Sequence, residues 1–184
     1  MNFIPDTQPH SRPEGVPFFD DVKSSGGWAG HTTRKSIAAL QSEINDAVER
    51  LGGVIKLWQR GAFAIDGQER QGYRLEIAIE KDGSVLPGQL DIAALPVKKN
   101  HSLRRSLETR QKQSMKMALY MLREAFGGLW FLQQLAPGYA PLIPLLLVEG
   151  GKTVGEMWLD AGLTSNLLPS PDQAFVEGEY EEVQ

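Results

Sequence analysis

Eight basic residues crowd the stretch from 98 to 123: Lys98, Lys99, Arg104, Arg105, Arg110, Lys112, Lys116 and Arg123. One acid, Glu108, stands among them, so the stretch is net +7. The whole chain is net −4, which leaves −11 for the remainder. Cations held in a row meet the main requirement of a phosphate backbone, because each phosphate they neutralise releases condensed counterions. At 100° per residue, Arg105, Lys112, Lys116 and Arg123 fall within about 40° of one another on a helix. Arg104 and Arg110 flank that row, and Lys98, Lys99 and His101 carry the charge into the preceding turn. A purely solvated helix face commonly interleaves Glu with Lys for i,i+4 pairing. This one is nearly unmixed in sign.

Aromatic side chains near such a row would favour single strands, because unpaired bases stack on them. Trp58, Phe63 and Tyr73 come from strand-like sequence, and Trp28 from a proline-rich N-terminal stretch. The same residues also fit ordinary half-buried strand positions.

A second chemistry would be metal-assisted phosphodiester hydrolysis, which needs a carboxylate pair and a lysine to hold Mg²⁺ and orient water. The weak candidates are Glu43, Glu76 and Asp91. The lysine is missing, since "LDIAAL" carries Ala93 where an acid-x-Lys motif wants a base. Other chemistries find no motif. There is no cysteine, hence no disulfide frame, thiol nucleophile or thiolate metal site. His10, His31 and His101 share no metal-ligand spacing. "EGGKTVGE" lacks the P-loop glycine, whose place is taken by Leu146, so Gly150 and Gly151 read as a turn. No Gly-x-Ser-x-Gly elbow and no dinucleotide fingerprint occur. No cofactor is expected.

The elements that must position these residues are legible in patches. Residues 1–30 contain Pro5, Pro9, Pro13 and Pro17 plus "SSGG", and predict a flexible arm in which "PFFDD" could dock on the body or on a partner. Ile37, Leu40, Ile44, Val48 and Leu51 make one helical apolar stripe, capped by Thr32 or Thr33 and ended by Gly52 and Gly53. "VIKLWQRGAF", "GYRLEIAIE" and "GQLDIAALPV" read as three antiparallel strands. In the second, Tyr73, Leu75, Ile77 and Ile79 share one face. A long helix follows, from Ser102 to Gln134. Leu103, Leu107, Ala118, Met121, Ala125 and Leu132 gather opposite the basic row and predict its core-facing side. "PLIPLLLV" offers a fourth, edge-type strand or an extended segment, "GKTVGEMWLDAGL" a short helix, and residues 161–184 a flexible tail with five acids and no base from Asp172 to Gln184.

The expected fold class is therefore α+β: a small three-stranded antiparallel sheet, with a fourth strand as an option, packed by an N-terminal helix and a long amphipathic basic helix. Residues 31–160 form its single domain. Composition is that of a globular protein, with 41% hydrophobic and 23% charged residues. No secretory signal and no apolar run of about 20 residues is visible, so a cytoplasmic protein without a membrane partner is expected.

The stretch "QSMKMALYMLREAFGG" resembles a helix of the Rad52-like single-strand annealing proteins, which follows a three-stranded antiparallel sheet in that family. The likeness runs through Met117-Ala118-Leu119, Arg123 and Phe126-Gly127 and covers residues 54 to 128. It implies single-stranded DNA bound along a basic groove and ring-like oligomers. The chain departs from that pattern in a heavier C-terminal extension and in lacking a clear second basic strand. The element order also resembles the core of PD-(D/E)xK nucleases. The leading expectation is a non-enzymatic nucleic-acid-binding protein, preferring single-stranded DNA, in phage or mobile-element DNA processing. The alternatives are a protein-interaction subunit or homo-oligomer, and a metal-dependent nuclease or an inactive nuclease-like fold.

Overall fold

A computed structural model describes residues 16–65, 68–81, 83–99, 105–136 and 138–160. The first half of the expected arm, Leu103, Arg104, His101 and the whole acidic tail lie outside the described residues.

The apolar stripe of the first helix behaves as its spacing requires. Helix α1 spans Ile37–Arg50, and Leu40, Ile44 and Val48 are fully buried. Each contributes about 1.5–3 kcal/mol by leaving water. Ser36, rather than Thr32 or Thr33, caps it, its Oγ accepting from the Ala39 N–H at 3.0 Å. Gly52 then turns the chain at φ 85°, a conformation open to glycine without Cβ strain.

Strands β1 (Gly53–Ile65), β2 (Gln68–Lys81) and β3 (Ser84–Ala93) form one antiparallel sheet in sequence order. β2 is central, and its alternation holds: Tyr73, Leu75, Ile77 and Ile79 are buried, while Glu76 and Glu80 face water. On β1 the pairing shifts between Ile55, opposite Ile77, and Leu57, opposite Glu76. This bulge absorbs Lys56 and returns Trp58 to the covered face. Gly72 is needed for close approach, since a Cβ there would sit 2.3 Å from the Ile92 carbonyl oxygen and 2.4 Å from the Phe63 ring.

Helix α2 spans Leu107–Leu135 and is capped by Ser106, whose Oγ accepts from the Thr109 N–H. Its core-facing side differs from the expected one. The buried residues are Arg110, Ser114, Met115, Met117, Leu119 and Phe126, whereas Leu107, Ala125 and Leu132 are exposed. The helix is covered from two directions, which a single-sided wheel does not anticipate. Met115, Leu119 and Phe126 join α1 and the sheet in the main core. Met117 instead joins Phe19 and Val22 in a second cluster.

That second cluster corrects the expectation of a flexible arm over 16–30. Phe19 is buried, donates its N–H to the Pro96 carbonyl at 2.8 Å and stacks on His31 at 4.6 Å. Gln113 donates to the carbonyls of His31 and Thr33, tying the end of the arm to α2. "PFFDD" thus docks on the body of its own chain.

"PLIPLLLV" forms no strand among the described residues. Ile143–Leu145 is a short 3-10 turn, and Leu146 and Leu147 make single bridges to Gly88 and Thr153. Two prolines remove the donors a continuous ladder needs. Gly150 and Gly151 do form a turn, both at positive φ. Helix α3, Val154–Asp160, starts at a reciprocal cap between Thr153 and Glu156. These elements define an α+β protein. No helix among the described residues is long and apolar enough to cross a membrane.

Candidate nucleic-acid interface

The basic stretch does not stay together as one outward ridge. Arg110 turns inward: its side chain is 5% exposed and its Nη1 donates to Asp20 at 2.8 Å and to the Lys98 carbonyl at 3.1 Å. Among the described residues its Nε is buried without a hydrogen-bond partner. The reason is positional. Arg110, Ser114, Met117 and Met121 recur at helical spacing on the side of α2 that the arm covers, and Asp20 supplies the counter-charge there. Arg110 is therefore a structural cation.

The C-terminal end of the expected row is also engaged. Arg123 Nε lies 3.1 Å from Glu43, it pairs with Glu124 as well, and its guanidinium sits 5.9 Å from the Tyr120 ring. Glu43 meets Lys35 at 2.5 Å. The hydrogen bond from Lys35, with the charges of Lys35 and Arg123, holds the Glu43 carboxyl below its ordinary value.

Three other cations of the stretch, Lys98, Lys99 and Lys112, line a groove together with Arg60. It runs between the β1–β2 hairpin, the segment after β3 and the N-terminal half of α2. Two cavities of roughly 610 and 250 Å³ meet at Gln71 and Gln111, which line both. Lys98 and Lys99 line the first, and Arg60 and Lys112 the second. Two carboxylates, Glu69 and Glu108, offset part of this charge. Lys98 already pairs with Asp21 at 2.6 Å. Among the described residues Lys99, Lys112 and Arg60 have no acidic partner within salt-bridge distance. Arg60 donates to the Gln71 side-chain Oε1 at 3.2 Å, which leaves the Gln71 side-chain NH₂ as a donor without a partner among the described residues. Arg105, exposed, stands just before the α2 cap, and Lys116 is half-buried further along the helix.

Arg60 was missed by sequence reasoning, because it lies on a strand far from the basic stretch. The signal available was its register. It pairs with Tyr73 on the helix-covered side of the sheet, where a long cation must leave the core sideways.

The expected stacking residues are mostly structural. Tyr73 is buried, Trp58 meets it edge-on at 5.7 Å, and the Trp58 indole donates to Asn45 Oδ1 at 3.0 Å. Phe63 packs over Gly72 on the opposite side of the sheet.

The three carboxylates are not brought together. Glu43 stands on α1, on the helix-covered side, while Glu76 and Asp91 lie on the other face of the sheet. Asp91 makes a bidentate pair with Arg74, at 2.8 and 2.7 Å. That hydrogen bonding, together with the Asp91 charge, raises the Arg74 pKa. Among the described residues no group of three or more His, Cys, Asp or Glu is arranged to hold a metal ion.

The site belongs to an α+β protein whose sheet edge and helix enclose a cation-lined groove. No protein-family model, curated protein or solved structure matches the chain, so the roles of its residues rest on geometry and charge.

Proposed function

We propose that this chain binds nucleic acid non-enzymatically in the groove between the β1–β2 hairpin and the N-terminal half of α2. The observation that carries the reading is the convergence of Arg60, Lys99 and Lys112, from three separate segments, on two adjoining clefts that share Gln71 and Gln111, with no acidic partner within salt-bridge distance among the described residues. Charges on facing walls can neutralise successive phosphates, and the low-dielectric walls strengthen the local field. The glutamine amides between them offer donors and acceptors to base edges. The resemblance to single-strand annealing proteins points the same way, towards DNA processing.

Lysine acetylation in the presence of a short single-stranded oligonucleotide tests the location. Lys99 and Lys112 are expected to become protected, while Lys152, outside the groove, keeps its reactivity. Equal reactivity of all three with and without the oligonucleotide contradicts the reading.

One observation favours a second reading, as a subunit of an assembly. The C-terminal end of α2 exposes Phe131 at 64% and Leu135 at 81%, beside Leu132. Contiguous apolar patches of this kind mark contact surfaces. If that reading holds, sedimentation velocity shows association that rises with concentration and is lost in Phe131→Ser/Leu135→Ser. A monomer at all concentrations excludes self-association through this patch.

A further inference from the structure

We propose that Phe18 is a stacking platform for one unpaired nucleobase, so that the groove takes single strands in preference to duplex. The inference rests on the nucleic-acid reading of the groove and adds the kind of strand.

The larger cavity has a mixed lining that phosphate alone does not require. Phe18, Pro96, Val97 and Leu107 give it apolar surface, directly beside Lys98 and Lys99. Its volume, roughly 610 Å³, is within the range of cavities that enclose small ligands. A nucleotide presents the matching combination: a flat apolar base face, polar base edges and a phosphate. In a duplex the base faces are stacked on their neighbours and an aromatic ring cannot reach them. In a single strand they are free, and every base offers a π-face.

Phe18 is also held in place before any ligand arrives. The next residue, Phe19, is buried and bonded through its backbone to Pro96. Asp20, one residue further, is buried against Arg110 and accepts from the Lys98 N–H at 2.9 Å. Asp21 holds the Lys98 ammonium, which lies 5.6 Å from the centre of the Phe18 ring. A ring whose backbone is anchored in this way loses less conformational freedom on binding than one on a free arm. Lys98 is the cation within reach of both the ring and an incoming phosphate. This arrangement also explains a buried ion pair at the root of a proline-rich arm: Arg110 and Asp20 act as positioning residues for Phe18.

The test uses the full chain, a labelled oligothymidine and a hairpin duplex of equal charge. Phe18→Leu keeps apolar volume and removes the π-face. It is expected to weaken oligothymidine binding by about 5- to 150-fold, the range of one lost stacked base. The salt dependence should not change, because no cation is removed. Phe18→Trp is expected to bind like the unaltered chain, and its additional indole emission to be quenched by oligothymidine. Undiminished binding by Phe18→Leu, absence of quenching in Phe18→Trp, or duplex binding as tight as single-strand binding each overturn the inference. If salt-dependent binding persists in those cases, the groove reading stands without it. If the unaltered chain binds neither oligonucleotide, both fall.

Discussion

Asp20→Ala is expected to destabilise the protein by about 3–5 kcal/mol, the cost of leaving a buried charge without its partner. The Asp20 side chain is 1% exposed and that of Arg110 5%, so neither charge can turn to water while the arm is docked. Asp20 also accepts from the Lys98 N–H, and that donor would be orphaned too. Replacing both partners, as in Asp20→Leu/Arg110→Met, removes the stranded charge and is expected to cost much less than the single change. The cost of the single change has a ceiling. If the arm detaches, Arg110 reaches solvent, and the loss then equals the docking free energy of residues 16–31. Urea denaturation measures the global loss, and tryptic cleavage at Lys23 reads detachment. An Asp20→Ala protein with an unchanged midpoint and unchanged cleavage contradicts the account of Arg110 as a structural cation.

Arg60→Gln/Lys99→Gln/Lys112→Gln is expected to weaken single-strand binding by about 100-fold near 0.1 M salt. Each phosphate contact on a single strand contributes a slope of about 0.7 in log affinity against log salt, so three contacts give about two decades between 1 M and 0.1 M. All three residues are exposed on the groove walls, and the fold should survive their neutralisation. Lys116→Gln provides the contrast. It belongs to the helical row read from the sequence but does not line either cavity, and its loss should change affinity little. A large effect of Lys116→Gln with none from the triple variant would place the contact on the helix ridge instead of in the groove.

The parts of the fold readable in the sequence are those governed by one neighbour. Helix α1 has a single buried stripe, so Leu40, Ile44 and Val48 declare themselves. Strand β2 has one covered face, so Tyr73 to Ile79 alternate cleanly. Helix α2 was legible as a helix but not in its orientation, because the arm covers a second side and draws Arg110, Ser114 and Met117 inward. The charge run was visible, yet its division was not. Which cation pairs with which acid depends on contacts 78 or 90 residues apart, such as Lys98 with Asp20 and Arg110 with Asp20. The same holds for Arg123 with Glu43 and for Arg60, which enters the groove through strand register. Phe18 looked like part of a linker because prolines surround it. Its docking becomes evident only once Pro96 and Arg110 are in place to receive it.

The central claim is that the groove neutralises phosphates through Arg60, Lys99 and Lys112. Its most direct test is the slope of log affinity against log salt for a labelled oligothymidine, compared between the unaltered chain and the triple glutamine variant. A slope shallower by about 2 in the variant is the expected result. Equal slopes for the two proteins would contradict it.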